Sequence, residues 1–382
     1  MQDSIYRGHT TNPDARAAAR ELRAQLRGAD EGTILFFCSS EYDLDVLASE
    51  LRDQFAGMQL VGCTTAGEIG PAGYIDHSLC GVAFPASDFA VSIGALRDVA
   101  GFEFGAGAAF IQSSLQNLER QPAYLSGGNT FAFLMIDGMS RREELVTRSL
   151  QNALGDIPMV GGSAGDGLKF EDTRVFLDGE FRPNAGAVVL VSSCRPFRVF
   201  KTQHFVPGEE RFVVTRADAS RRVVYEINGL PASEEYARLI GVDAGRLEPA
   251  SFAGTPVVVL IDGGNYVRSI QTANPDGSLT FFCAIEEGLV LRAAHGVDLV
   301  ANMEAAFDEV CAQIGEPLLT LACDCVLRKV EIFNNGLDHQ VADVFRRNYA
   351  VGMGTYGEQY HGVHINQTLT GVVIGAKGGE DG

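Results

Sequence analysis

Chemistry in this chain would have to come from a small set of residues. Cys63 stands at the end of an apolar run, inside Gly62-Cys63-Thr64-Thr65-Ala66-Gly67-Glu68. A thiol at a strand end before a glycine-rich turn can act as a nucleophile. Two similar stretches, however, carry Gly162 and Gly354 or Met353 at the matching place, so the turn recurs without the thiol and reads as structural. His-Glu-x-x-His does not occur, and the chain is expected not to be an enzyme. The seven histidines stand at 9, 77, 204, 295, 339, 361 and 364. His361 and His364 flank a turn beside Tyr356 and Tyr360, but no third ligand follows at metal-site spacing. A single imidazole over an apolar cavity is enough for an axial haem ligand, and His364, His361, His204 and His77 are each open to that role. The acids Glu68, Asp166 and Glu358 each follow a hydroxyl residue, any residue and a glycine; such carboxylates can read an amino group. Gly352-x-Gly354-x-x-Gly357 matches a dinucleotide fingerprint by letter, but no helical pattern follows it to receive a pyrophosphate.

The composition narrows the partners. Lys plus Arg number 30 against 49 Asp plus Glu, a net charge of −19. That excess argues against a nucleic acid and against an anionic membrane surface. The eight cysteines include no Cys-x-x-Cys pair, so the expectation is a reduced, cytoplasmic protein with buried free thiols. No apolar run is long enough to span a bilayer.

The elements that would position these residues recur. A first helix is expected from Asn12-Pro13 as N-cap and first helical residue to Gly28, with a stripe of Arg16, Arg20, Arg23 and Arg27 on its solvated face. One unit then runs from strand 34–37 through a helix with Leu44, Leu47, Leu51 and Phe55 inward, to strand 58–61, a turn and strand 79–84. A second runs from strand 131–136 through a helix opened by a Ser140/Glu143 capping box, to strand 158–160, a turn and strand 185–191. A third runs from strand 318–323 through a helix from Asp338, to strand 350–351, a turn and strand 369–374; its first loop is longer. The turns place Thr65, Ser163 and Thr355 in register and predict that Gly67, Gly165 and Gly357 need close backbone space or positive φ. Between units two and three, strands and a hairpin at Asn274-Pro275-Asp276-Gly277 precede a long helix near 297–314. The expected fold is mixed α+β: repeated strand-helix-strand units form mixed sheets flanked by helices. It divides into an N-terminal helix (1–29) and two domains, 30–200 and 201–382.

At Val61-Gly62-Cys63-Thr64-Thr65-Ala66-Gly67-Glu68-Ile69, at Val223–Ala232, at Tyr356-Gly357-Glu358 and at His364-Ile365-Asn366-Gln367-Thr368 the chain resembles FIST-domain proteins. The resemblance covers about residues 30–375, FIST N over 30–195 and FIST C over 215–375. It implies a sensory module. The similarity to stand-alone members that bind b-type haem, sense nitric oxide and regulate a partner histidine kinase implies the same here. On that reading the cofactor-binding residues are His364, His204, His361 and Tyr356. His364 is the iron ligand, because it precedes the strand 369–374. The alternative is a FIST module that binds an amino acid or another small polar metabolite in an interdomain cleft, without haem. The chain has no kinase motif, so output passes to another protein; a homo-oligomer stays open.

Overall fold

The computed structural model describes residues 5–26, 31–124, 129–261 and 264–376. Its body is three copies of one mixed α+β repeat. The first comprises β1 (Tyr6–Thr10), α1 (Ala15–Gln25), β2 (Gly32–Ser39), α2 (Leu44–Gln54), β3 (Gln59–Thr65), the hairpin β4 (Glu68–Gly70) and β5 (Gly73–Ile75), and β6 (Leu79–Pro85). The second comprises β7 (Phe89–Leu96), α3 (Ala106–Glu119), β8 (Thr130–Ile136), α4 (Glu143–Leu154), β9 (Met159–Ser163), the hairpin β10 (Val175–Leu177) and β11 (Glu180–Arg182), and β12 (Gly186–Ser193).

The third repeat opens with β13 (Phe197–Thr202) and is then interrupted. The insertion holds β14 (Phe205–Asp218), β15 (Val223–Ile227), β16 (Leu230–Pro231), α5 (Ala232–Ile240), α6 (Pro249–Gly254), β17 (Val257–Ile261), β18 (Gly264–Arg268), β19 (Ile270–Ala273), β20 (Leu279–Phe281) and β21 (Val290–Gly296). The expected hairpin at Asn274–Gly277 joins β19 to β20. The repeat resumes with α7 (Leu299–Ile314), β22 (Pro317–Cys325), α8 (Val326–Asn334), α9 (Asp338–Arg347), β23 (Ala350–Thr355), the hairpin β24 (Glu358–Tyr360) and β25 (Val363–Ile365), and β26 (Leu369–Gly375).

Each repeat builds a six-stranded sheet, and each sheet is finished by a hairpin from another repeat. The orders are β1-β6-β2-β3-β10-β11, β7-β12-β8-β9-β24-β25 and β13-β26-β22-β23-β4-β5. Repeat 2 thus lends its hairpin to repeat 1, repeat 3 to repeat 2, and repeat 1 to repeat 3. The central strands β2, β8 and β22 lie parallel to β3, β9 and β23 and antiparallel to β6, β12 and β26. Their inward faces meet in one core that includes Leu35, Phe37, Phe133, Met135, Leu321 and Cys323. The insertion forms a separate eight-stranded sheet with its own core around Phe212, Tyr236, Phe252 and Phe281.

Some local expectations shift. Helix α1 is capped by Asp14, whose side chain accepts from Ala17 N, two residues beyond the expected Asn12. An Asp side chain reaches the same orphan N–H groups, so the cap moved without changing the device. Helix α4 begins at Glu143 with no side-chain cap; Ser140 Oγ instead accepts from Arg142 N. The arginine stripe is not simply solvated. Arg20 and Arg16 reach Glu50 on α2 at 2.8 and 3.7 Å, and Arg23 lies over the Phe55 ring. Gly28 and Arg27 lie outside the described residues.

Candidate functional site

Backbone pairing shows which turn residues correspond. Cys38, Ile136 and Asp324 stand opposite the first residues of β6, β12 and β26 and pair with Thr64, Ser163 and Gly354. The same three N–H groups bond across the repeats: Thr64 to Arg174 O at 2.9 Å, Ser163 to Gly357 O at 2.9 Å and Gly354 to Gly67 O at 2.6 Å. Thr65 and Thr355 are therefore equivalent, as expected, but their partner in repeat 2 is Ala164; Ser163 is offset by one. The residue equivalent to Glu68 and Glu358 is Val175, which opens the repeat-2 hairpin. Residues 165–172 are an addition peculiar to repeat 2, and Asp166 belongs to it.

The two true counterparts are built alike. Glu68 accepts from Thr65 Oγ1 at 2.6 Å, from Ser78 Oγ at 2.7 Å and from Ser78 N at 3.0 Å. Glu358 accepts from Thr355 Oγ1, from Thr368 Oγ1 at 2.6 Å and from Thr368 N at 3.2 Å. Both carboxyls are buried, at 1% and 0% exposure. Burial pushes them up to about 7 and about 8 against those bonds. Where repeat 2 has Val175, the positions of the two hydroxyls hold Ala164 and Ala185. Acid and hydroxyls occur together in repeats 1 and 3 and are both absent from repeat 2, in keeping with the need of each buried polar group for a hydrogen-bond partner.

Asp166 is held differently. Its Oδ1 accepts from Phe170 N at 2.9 Å and from the Tyr356 hydroxyl. Its Oδ2 accepts from Glu171 N and Asp172 N at 2.9 and 2.8 Å. Burial raises it, but the Tyr356 hydroxyl and the three N–H groups outweigh burial and hold it below the usual carboxylate range. The added segment is thereby closed on itself, and Phe170 stacks on Tyr356 with ring centres 4.5 Å apart. All three acids are satisfied internally, so none is left to read an amino group as expected from sequence. The glycine expectation holds in both forms: Gly67 and Gly357 have positive φ, and a Cβ on Gly165 would stand 2.8 Å from Ala66 N. At Gly357 a Cβ would run into the buried His364 ring.

The departures from three-fold repetition open a cleft of about 480 Å³. Its walls are the repeat-1 turn with Thr65, Gly67 and Glu68, the added segment with Leu168 and Lys169, and helix α8. The helical spacing of Val326, Lys329, Val330 and Phe333 turns one face of α8 to the cleft. Lys329, whose side chain is 13% exposed, donates to Ala66 O at 3.0 Å and to Asp76. On the rim Glu41 holds His77 Nδ1 at 2.6 Å and Lys169 at 3.2 Å. Phe333 and Leu168 are large apolar side chains left exposed. The volume falls within the range of small-molecule sites, as does the mix of apolar wall and few polar groups. A larger groove of about 780 Å³ lies elsewhere, along β7.

The four residues that the resemblance assigns to haem, His364, His204, His361 and Tyr356, are not brought together and none of them lines this cleft, whereas His77 does. His364 is buried in β25. Gln359 Nε2 stands 3.2 Å from its Nδ1, its Nε2 has no partner, and desolvation lowers it to about 4. His204 has both ring nitrogens engaged, Nε2 with Glu331 at 2.9 Å and Nδ1 with Arg328 at 2.9 Å. His361 is exposed at the tip of the β24–β25 hairpin with positive φ. Tyr356 spends its hydroxyl on Asp166. A haem ligand needs a free imidazole nitrogen beside a large apolar cavity, and these four residues do not meet that need. Cys63 is fully buried with Sγ 3.4 Å from Met353 Sδ, and burial raises its thiol; it is a packing residue. Sequence reasoning missed Lys329 and Phe333. Their signal was the long first loop of the third unit, where 326–334 has helical spacing.

No group of three or more His, Cys, Asp or Glu side chains among the described residues is placed to hold a metal ion. No helix among them is long and apolar enough to cross a membrane. No curated protein matches the chain. The structure is similar, over 98% of this chain and 99% of the other, to the crystal structure of a cyanuric acid hydrolase from A. caulinodans, with a TM-score of 0.44 and 10% identity; so distant a likeness bears on neither fold nor function. The sequence matches the FIST N domain over residues 32–230 and the FIST C domain over residues 232–361, and the chain belongs to the FIST family of small-ligand sensory modules.

Proposed function

We propose that this FIST protein senses a small ligand with polar and apolar portions in the cleft between α8, the repeat-1 turn and residues 165–172. The observation that carries the reading is that the cleft lies where repeats 2 and 3 depart from the shared plan, while the shared carboxyls Glu68 and Glu358 are bonded within their own turns. The ligand's apolar portion lies against Phe333 and Val330. Its polar portion competes with Asp76 for the Lys329 ammonium. Binding that favours one setting of α8 shifts the population of that setting, and a partner that distinguishes the settings reads the shift. Thermal unfolding against a panel of amino acids and short carboxylic acids tests this. At a ligand concentration of about 100 Kd the expected stabilisation is about 2.7 kcal/mol, abolished in Lys329→Ala and in Val330→Trp. A panel with no effect, or an effect that survives both variants, would sink the proposal.

One observation favours a second reading, a b-type haem that senses nitric oxide and acts on a histidine kinase, as in the haemoproteins called NosP. Among the seven histidines, His77 is the one on the cleft, 66% exposed, with Nδ1 held by Glu41. A carboxylate on one ring nitrogen fixes the tautomer that leaves the other for a metal. Haem, when bound, supplies an iron that takes a diatomic gas. A Soret band in protein from haem-supplemented cells, lost in His77→Ala and kept in His364→Ala, is the result this reading requires.

A further inference from the structure

The groove along β7 has the build of a strand-docking site. Strand β7 ends its sheet, with β12 on one side and, among the described residues, no strand on the other. At Val91 the open side is closed by a side chain: Val91 N donates to Gln121 Oε1 at 2.9 Å, and Gln121 Nε2 donates to Val91 O. The amide of Gln121 thus does what a neighbouring strand would do. In an antiparallel ladder alternate residues turn their N–H and C=O the same way, so those of Ile93 and Ala95 face the groove as those of Val91 do. The groove of about 780 Å³ runs along this edge, walled by α3 on one side and by the start of β3 and the β10–β11 turn on the other. From Val91 to Arg97 it is roughly 20 Å long at ~3.3 Å per residue.

The charge at its far end is also defined. Arg97 is paired with Asp178 at 2.8 Å. Arg52 donates to Gly179 O at 2.6 Å and has no carboxylate partner among the described residues. In a chain of net charge −19, this is a local site for an acid.

We infer that the β7 edge docks an extended peptide segment of a partner protein, which adds as a further strand and sets an acidic side chain against Arg52. Backbone pairing with Ile93 and Ala95 supplies the affinity, as in other strand-addition complexes. The inference is independent of what the cleft binds.

The test is a displayed library of random octapeptides selected on the full chain and counter-selected on Ile93→Pro. Proline removes the outward N–H and is tolerated on a strand edge. Enriched peptides, synthesised and labelled, are expected to bind the wild type in fluorescence anisotropy. They lose tenfold or more in affinity to Ile93→Pro, to Ser113→Trp, which fills the groove from the exposed face of α3, and on N-methylation of alternate peptide amides. Arg52→Glu weakens the acidic ones. If Ile93→Pro fails to fold by circular dichroism, Ser113→Trp and the methylated peptides carry the test. No enrichment, or binding indifferent to these changes, overturns the inference. So does binding lost in Val330→Trp, which would place the peptide in the cleft, and so does self-association in sedimentation that Ser113→Trp abolishes, which would give the edge to a second copy.

Discussion

Glu358 and Asp166 both follow a glycine near the end of a buried strand, and they are held in opposite ways. Glu358 sits among hydroxyls inside the sheet junction, and burial lifts its carboxyl to about 8. Asp166 gathers three backbone N–H groups and a tyrosine hydroxyl, which keep it ionised. The first is part of the plan that repeats 1 and 3 share; the second locks an addition that repeats 1 and 3 lack. The difference teaches that a short motif is not evidence of equivalence until the backbone pairing is known, and that the cleft owes its existence to the addition.

The sharpest way to break this comparison is to force the missing acid into repeat 2. Val175→Glu places a carboxyl beside Ala164 and Ala185 with no hydroxyl to meet it, and should cost about 3 kcal/mol in urea unfolding. Adding Ala164→Thr and Ala185→Ser should recover part of that loss; no recovery would show that the correspondence is wrong. Removing the acid from repeat 3 is the reverse experiment. Glu358→Leu strands Thr355 and Thr368 and should cost about 3 kcal/mol, and Glu358→Gln clearly less.

Asp166→Ala removes the acceptor for four donors at once and is expected to lower stability by about 2 kcal/mol. It should also abolish ligand-induced stabilisation while leaving circular dichroism unchanged. A smaller effect is one of pH. Glu68 and Glu358 have folded values raised to about 7 and about 8, so between the ordinary glutamate range and those values the folded chain binds more protons than the unfolded one. Stability from these groups is full below about pH 4.5 and is lost as pH rises through 7 and 8. Glu358→Gln should flatten the upper part of that decline. A decline of equal slope in the variant would assign it to other groups. The smallest effect is expected of Tyr356→Phe, about 1 kcal/mol, with the Phe170 stack intact.

Much of the frame was legible in the sequence. Apolar runs such as Ile34–Phe37 and Phe131–Ile136 are buried on both faces, and such strands show as continuous hydrophobic stretches. The helices between them carried their apolar periodicity openly. What escaped was non-local. The opening pair β1–α1 is the counterpart of β7–α3 and β13–α7, yet those pairs share geometry and not residues. Ser163-Ala164-Gly165-Asp166 imitates Thr65-Ala66-Gly67-Glu68 letter for letter in type, and only the pairings of β9 with β8 and of β10 with β3 expose the offset. Of the site, the turn residues Thr65 and Glu68 were found for their chemistry, and their partners were not, because Ser78 and Thr368 meet them only after a hairpin has been sent to another sheet. The histidines were weighed by neighbourhood in sequence, which says nothing about whether a ring faces a cavity.

The circular lending of hairpins has a consequence for how the chain is made. As it leaves the ribosome, repeat 1 can complete its sheet once residues 175–182 appear, but β9 of repeat 2 keeps a bare edge until residues 358–365 are synthesised. Bare edges are templates for pairing with other chains. A translation pause or a truncation ahead of residue 358 therefore leaves a nascent protein with the β9 edge bare and adhesive. Its quality depends on residues 358–365 being reached without delay.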